Sequence, residues 1–235
     1  MTAVLILGMH RSGTSALAGS LQQQGVYLDT VFEWNPHNQK GNRENAECVE
    51  LNDNILSLNN GNWTNPPDVI IWSTEQATSR NRIITKFVES NHSIWGFKDP
   101  RTLFTLNFWL DGLQGINTTF VGSFRHPLPV AKSLMARNQI PIEHGLALWE
   151  KYNVRLLDLI KKQDFPLVSF DATFDEYQQT IRRVLLKLGI LPVAITEHQF
   201  FDNSLRHENV DSSVHIPDRV QNLHHVLTQI YKAQS

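Results

Sequence analysis

A glycine-containing loop near the N-terminus constrains the fold of this chain more than any other feature. Residues 8–15 read GMHRSGTS and lie between the apolar run Ala3 to Leu7 and an amphipathic segment that starts at Thr14. This glycine spacing is typical of a phosphate-binding loop, which joins a buried strand to a helix. The start of such a helix stabilises an anion through its free backbone N–H groups and its dipole. The loop therefore predicts an α/β fold with an anion site at Ser12 to Ser15.

Short apolar runs alternate with segments of helical period along the rest of the chain. Strands are expected at Ala3 to Leu7, Ile94 to Phe97, Thr119 to Phe124 and Leu167 to Phe170. Helices are expected at Thr14 to Gln24, Glu44 to Leu58, Ser79 to Ser90, Gly145 to Lys162, Tyr177 to Leu188 and Pro217 to Lys232. This alternation predicts a doubly wound, mostly parallel central sheet flanked by helices. Since 235 residues can bury one sizeable core, we expect a single domain over residues 1–235.

Three of the predicted strands end in residues that suit the binding of an anion. The first strand leads into the GMHRSGTS loop, the second into Lys98-Asp99-Pro100-Arg101, and the third into Arg125-His126-Pro127. Ligands bind at the carboxyl ends of the strands in parallel sheets of this kind. We therefore expect these three segments to meet at one edge of the sheet.

Composition limits the partners and the location of the protein. The 21 basic and 23 acidic side chains give a formal charge of -2, so no global positive field favours nucleic acid or an anionic membrane. The single cysteine, Cys48, excludes a framework of disulfides. The chain has neither a run of eighteen apolar residues nor the basic start of a signal peptide. We expect a cytoplasmic protein with no membrane span and no nucleic-acid partner.

The loop lacks the lysine of the nucleotide-binding pattern, and Thr14 stands in its place. In kinases and nucleoside triphosphatases that lysine reaches the β- and γ-phosphates. Here the cation is Arg11, inside the loop, which makes a triphosphate a poorer fit. The alternative interpretation is a plain strand-to-helix turn with a capping serine, which explains the glycines but not Arg11.

A second cationic site is predicted after the third strand. Arg125 ends that strand, and Ser133 follows within a helix that begins near Pro127. A guanidinium group and a hydroxyl group at this separation can bind one phosphate together, and arginine favours bidentate phosphate contacts. Alternatively, Arg125 is a structural ion-pair partner and Ser133 a solvated helix residue.

These two motifs together resemble those of the sulfotransferases that use 3′-phosphoadenosine 5′-phosphosulfate. The run Arg11-Ser12-Gly13-Thr14-Ser15 is similar to their 5′-phosphosulfate loop, and Arg125 with Ser133 is similar to their 3′-phosphate motif. Further similar stretches are Asn38 to Glu44, Gly96 to Leu103, Val168 to Asp171 and Ser204 to His207. The resemblance implies a small bacterial-type sulfotransferase with this donor, a small-molecule or glycan acceptor, and no metal.

The resemblance also implies roles for individual residues. Lys98 would stabilise the bridging oxygen of the donor, Arg11 would share the charge of its phosphosulfate, and Glu44 would take the proton of the acceptor. The residues expected to bind the donor are Arg11, Ser12, Gly13, Thr14, Ser15, Arg125, Ser133 and Arg206.

Other interpretations of these residues stay open on the sequence alone. Glu44 could instead open a helix, where an acidic first turn is favourable. The other candidates for the base are His10, Glu33, His37 and Asp99. Lys98 could instead be a surface lysine paired with Asp99.

The acceptor pocket is expected in less patterned stretches of the chain. These are Val26 to Arg43, Trp63 to Thr78 and Asn138 to His144, where Trp63, Trp72 and Phe32 are candidates for an apolar wall or for the core. Two other functions remain possible. One is a small-molecule or nucleotide kinase with a degenerate loop, and the other is a nucleotide-binding module without catalysis.

Overall fold

The computed structural model of the protein describes residues 1–34, 40–193, 200 and 214–234. Four strands form its sheet, in the order β2-β1-β3-β4. The strands are β1 (Thr2–Gly8), β2 (Ile94–Lys98), β3 (Asn117–Phe124) and β4 (Leu167–Ser169). All three pairings are parallel, which confirms the predicted fold class.

Helices cover both faces of the sheet. They are α1 (Thr14–Gln23), α2 (Ala46–Leu58), α3 (Thr74–Glu89), α4 (Thr102–Gly112), α5 (Pro127–Asn138), α6 (Ile142–Lys162), α7 (Phe174–Lys187) and α8 (Asp218–Ala233). Side chains alternate along β1: Leu5 and Leu7 enter one apolar cluster, whereas Val4 and Ile6 enter another that includes residues of α1 and α7. None of the helices in the described ranges has the length and apolar character needed to cross a bilayer.

Helix α4 is the one helix of the described chain for which the sequence pattern gave no expectation. Of its apolar residues, Leu103, Phe104, Phe108 and Trp109 are buried, and Leu106 and Leu110 are partly buried. A helix that is enclosed on most sides lacks the polar stripe that makes an amphipathic period recognisable. The helical pattern therefore gave no signal here.

Capping residues explain two further differences from the predicted boundaries. Helix α3 starts at Thr74 instead of Ser79, because Ser73 and Gln76 form a reciprocal capping box before it. Helix α2 starts at Ala46 instead of Glu44, because the Asn45 side chain accepts a hydrogen bond from the Cys48 N–H. The second difference leaves Glu44 outside the helix.

The GMHRSGTS loop leaves β1 in close contact with β3. A Cβ atom on Gly8 would lie 2.3 Å from the Ser123 carbonyl oxygen, and the Gly8 backbone has a φ of +147°. The Ser123 hydroxyl donates a hydrogen bond of 2.6 Å to the Ser12 carbonyl oxygen. Arg11, with a φ of 65°, is held in the left-handed region that residues other than glycine rarely adopt. The shape of the loop therefore depends on the position of β3.

We expect Gly8→Ala to destabilise the protein more than Gly115→Ala. Both glycines have a positive φ, but nothing lies within 4 Å of a Cβ atom at Gly115. The control, Gly115→Ala, should lose about 1 kcal/mol of unfolding free energy, because alanine is strained in a left-handed backbone conformation. Gly8→Ala should lose a further roughly 1–3 kcal/mol, since β3 and the loop must separate. Equal losses in urea denaturation would show that the contact with β3 is unimportant.

Candidate functional site

The start of helix α1 presents unsatisfied polar groups at the edge of the sheet. Gly13 is the N-cap, no side chain caps the helix, and its first turn contains no acidic residue. The hydroxyl oxygen of Ser12 is buried and has no hydrogen-bond partner among the described residues. A buried polar atom of this kind is costly without a partner. A phosphate group bound at the helix start would fit both features.

The structure brings the loop into contact with Ser133. The Nε atom of Arg11 donates a hydrogen bond of 2.8 Å to the Ser133 hydroxyl, and Ser133 is buried on α5. The sequence predicted Arg11 and Ser133 at two separate phosphate groups. Their direct contact places the two predicted phosphate motifs side by side.

Arg125, at the end of β3, lies between an aromatic ring and a carboxylate. Its guanidinium carbon is 5.2 Å from the centroid of the Phe170 ring, and its Nε atom is 3.6 Å from an Asp171 carboxylate oxygen. The Phe170 ring also fills the space beside Gly13, where a Cβ atom would lie 2.2 Å from the ring. The ring of Phe170 therefore separates the start of α1 from the Arg125 guanidinium.

Lys98 and Glu44 form a buried ion pair next to the loop. The Lys98 Nζ atom lies 2.7 Å from a Glu44 carboxylate oxygen, and the two side chains are 3 % and 11 % exposed. Nζ also donates to the Asn42 carbonyl oxygen at 2.9 Å and to the Ser15 hydroxyl at 3.4 Å. The alternative interpretations of these residues are wrong, because Lys98 is neither at the surface nor paired with Asp99, and Glu44 does not open a helix.

A buried polar cluster fixes the segment that follows Lys98. The Asp99 carboxylate accepts hydrogen bonds from Asn52 Nδ2 at 2.8 Å and from Arg101 Nη1 at 2.9 Å, and Arg101 Nε donates to Asp53 at 2.6 Å. Burial raises the pKa of Asp99 above its ordinary value, although the charge of Arg101 opposes that rise. The Asn52 carbonyl accepts from Thr105 and Trp109. Asp99 is therefore engaged within the cluster and is a poor candidate for the base.

Sequence reasoning missed Asn52 and Asp53, and it assigned no role to Arg101. Both α2 residues lie within a helical pattern in which polar residues are ordinarily solvated. The only indication in the sequence that Arg101 belongs to the site was its place in the run Lys98-Asp99-Pro100-Arg101, which was expected to follow the second strand. Nothing in the sequence indicated that the amide of Asn52 is enclosed in the core.

His10 lies inside the loop and packs against aromatic residues. Its ring centroid is 4.6 Å from that of Trp63 and 5.8 Å from that of Tyr152. Burial lowers the pKa of His10 well below its ordinary value, and the charges of Arg101, Lys98, Arg137 and Arg11 lower it further. The imidazole is therefore neutral at pH 7.

The remaining candidates for the base lie elsewhere. The Glu33 side chain is 75 % exposed and pairs with Arg43. His37 and the predicted donor residue Arg206 lie outside the described residues, as does the whole Ser204 to His207 stretch. Within the described ranges, no group of three or more His, Cys, Asp or Glu residues is arranged to hold a metal ion.

The stretch around Trp63 is fastened to helix α6. Tyr152 donates a hydrogen bond of 2.9 Å to the Trp63 carbonyl oxygen, and His144 Nε2 lies 3.2 Å from the Thr64 carbonyl oxygen. Trp63 thereby faces the loop through its contact with His10. Trp72, in contrast, packs edge-on against the core residue Phe108, with ring centroids 5.6 Å apart. Phe32, the third aromatic residue considered for an acceptor wall, is 46 % exposed. Trp63 is thus the tryptophan that packs against His10 of the loop.

Solved structures share this fold over almost the whole chain. A sulfotransferase domain from the olefin synthase of Synechococcus PCC 7002 matches with a TM-score of 0.65 and 14 % identity, over 97 % of this chain and 94 % of that one. A sulfotransferase domain from the curacin biosynthetic pathway matches with a TM-score of 0.60 and 12 % identity, over 96 % of each chain. No family model matches the sequence. No curated protein matches it either.

The chain therefore has the fold of sulfotransferase domains. In this fold its phosphate-type loop, Lys98, Glu44 and Arg125 are positioned around the carboxyl ends of parallel strands.

We expect either single substitution in the Lys98–Glu44 pair to destabilise the protein strongly. Glu44→Leu and Lys98→Met should each lose about 3–5 kcal/mol of unfolding free energy, since each leaves an uncompensated buried charge. The double variant should lose less than either single variant, because both charges are then absent. The measurement is denaturation in guanidinium chloride, and additive losses would contradict the pairing.

Proposed function

We propose that this protein is a sulfotransferase. It transfers a sulfuryl group from 3′-phosphoadenosine 5′-phosphosulfate to a hydroxyl or amine of a small-molecule or glycan acceptor, and it needs no metal. One observation carries the proposal: the Lys98–Glu44 pair lies against Ser15 of the loop in a fold shared with sulfotransferase domains.

The 5′ end of the donor is assigned to the loop. The backbone N–H groups from Gly13 to Ser15, at the start of α1, have no side-chain cap, whereas the Ser12 N–H donates to the Met9 carbonyl oxygen at 3.3 Å; Arg11 adds a cation. Helix starts stabilise phosphate groups in this way. The side chain at the usual lysine position is the buried Thr14, which adds no charge there. This favours the sulfotransferase over a kinase that uses a triphosphate.

The 3′-phosphate is assigned to Arg125, with Ser133 nearby on α5. The arginine faces Asp171 at 3.6 Å, beyond the distance of a direct hydrogen bond. A phosphate bound here would accept charge-assisted hydrogen bonds from the guanidinium. The buried Phe170 ring lies against both Gly13 and the Arg125 guanidinium, so it joins the two parts of the proposed donor site.

Lys98 and Glu44 are assigned to the transfer itself. The donor supplies a sulfuryl group that is already activated by its bond to a phosphate. Glu44 takes the proton of the acceptor as the new bond to sulfur forms. Lys98 stabilises the negative charge that develops on the bridging oxygen as the sulfur–oxygen bond to the phosphate breaks. Because the two side chains share a hydrogen bond of 2.7 Å, each holds the other in position.

Titration calorimetry of 3′-phosphoadenosine 5′-phosphate in the presence of EDTA tests the proposed donor site. We expect metal-independent binding, and Arg125→Ala should weaken it by about 1.5–3 kcal/mol, the cost of charged hydrogen bonds. The binding of adenosine 5′-phosphate should weaken much less in this variant, because this nucleotide lacks the 3′-phosphate. Arg182→Ala, an exposed arginine of α7, is the matched control.

Two results would count against this donor. Uptake of ATP with magnesium in place of 3′-phosphoadenosine 5′-phosphate would favour the kinase. Equal losses for both ligands in Arg125→Ala would remove the arginine from the 3′-phosphate site.

We expect substitutions in the Lys98–Glu44 pair to affect turnover more than donor binding. Under conditions in which denaturation shows each variant to be folded, Lys98→Met and Glu44→Gln should each lower kcat by roughly 100-fold or more, the range for one oxyanion-type donor or one general base. The affinity for 3′-phosphoadenosine 5′-phosphate should change little, because both interactions strengthen mainly in the transition state. The measurement is the acceptor-dependent formation of 3′-phosphoadenosine 5′-phosphate from the donor. Full turnover in both variants would favour other catalytic residues, whereas donor binding without turnover in every form would favour the non-catalytic module.

A further inference from the structure

Arg137 is a partly buried cation in the last turn of α5. It follows Ser133 by one helical turn, so both side chains lie on the same face of the helix. Across the residues that the structure describes, Arg137 has neither an ion pair nor a side-chain hydrogen bond. A guanidinium group carries five N–H donors and cannot lose its charge. A group of this kind in a partly enclosed position is suited to binding an anion.

The location of Arg137 relative to the loop follows from its neighbours. Ser133, one turn earlier, accepts the hydrogen bond from Arg11. The charge of Arg137 also acts on His10, together with the charges of Arg101 and Lys98. The other three cations whose charges act on His10 all have side-chain partners. Arg101 pairs with Asp99 and Asp53, Lys98 pairs with Glu44, and Arg11 donates a hydrogen bond to Ser133.

Helix α5 runs from the predicted donor residue Arg125 past the loop to Arg137. It begins at Pro127, directly after Arg125 and His126, and it reaches Ser133 before Arg137. Four residues of helix advance the chain by about 6 Å, so Arg137 lies beyond the contact between Ser133 and Arg11. His10 packs on Trp63 and Tyr152 on this side of the loop.

Building on the sulfotransferase proposed above, we propose that Arg137 binds an anionic group of the acceptor. A carboxylate, phosphate or sulfate on the acceptor would form a bidentate contact with the guanidinium. The reacting hydroxyl or amine would then face the Lys98–Glu44 pair, and the rest of the acceptor would contact Trp63. The acceptor class is therefore an acidic molecule with an apolar or aromatic body.

Two phenols that differ in one charge test this assignment. Calorimetry compares 4-hydroxybenzoate with 4-methylphenol, each added to the protein with and without 3′-phosphoadenosine 5′-phosphate. We expect the wild type to bind 4-hydroxybenzoate at least roughly tenfold more tightly, as one charge-assisted contact allows. Arg137→Gln should abolish this preference, and Arg137→Lys should retain part of it. Arg82→Gln, at an exposed arginine of α3, should leave the preference intact.

Several results would overturn the proposal. These are equal affinities for the two phenols in the wild type, no binding of 4-hydroxybenzoate, or a preference that survives Arg137→Gln. Weaker binding of 3′-phosphoadenosine 5′-phosphate by Arg137→Gln would assign the arginine to the donor instead. Failure of the wild type to bind this nucleotide rejects the sulfotransferase, while the phenols without nucleotide still test Arg137. A lower melting temperature with an unchanged preference would assign Arg137 to helix stability alone.

Discussion

The parallel pairing of β1 with both of its neighbours is the constraint on which the candidate site depends. The register places Ile6 beside Lys98 on one side and Gly8 beside Ser123 on the other. All three strands therefore end at the same edge, although long stretches of chain separate them. The bare backbone of Gly8 allows the loop and β3 to approach, and the Ser123 hydroxyl then fixes the Ser12 carbonyl. The start of α1 is held in position by the sheet itself.

The site contains several buried charges that are already paired within the protein. Lys98 is held by Glu44, and Asp99 is held by Arg101 and Asn52. Taking such charges out of water is costly, and partners with good geometry offset part of that cost. The benefit for chemistry is that the dipoles and charges need little reorientation when a reaction develops charge. The proposed sulfuryl transfer would draw on this arrangement.

The order of the strands in the chain and the position of the loop were accessible from the sequence. The strands are short apolar runs, and the glycine spacing of the loop is a local property of the chain. The convergence of the loop, Lys98 and Arg125 also followed, because the carboxyl ends of parallel strands share one edge. Helix α4 did not follow, since burial on most sides removes its amphipathic pattern.

The partners of the site residues were much less accessible. The contacts of Lys98 with Glu44 and of Arg11 with Ser133 join residues that are distant in the sequence. Such contacts depend on rotamers and on helix boundaries, as the N-cap at Asn45 illustrates by freeing Glu44 from α2. Asn52 gave no signal, because the sequence does not distinguish a buried amide from a solvated one on a helix. Arg137 gave none either, because a basic residue near the end of a helix is common.

The Asn52 amide has a mechanical consequence for the two sides of the site. Its hydrogen bonds connect α2 to Asp99 after β2 and to Thr105 and Trp109 on α4. Displacement of the Lys98 side of the site would have to break this buried set of bonds together. On the other side, the Asp171 carboxylate accepts a hydrogen bond of 2.6 Å from the His126 N–H and lies 3.6 Å from the Arg125 Nε atom. Helices α2 and α4 and the end of β2 are thus coupled through one amide, so the core, and not a bound ligand, sets the position of Lys98.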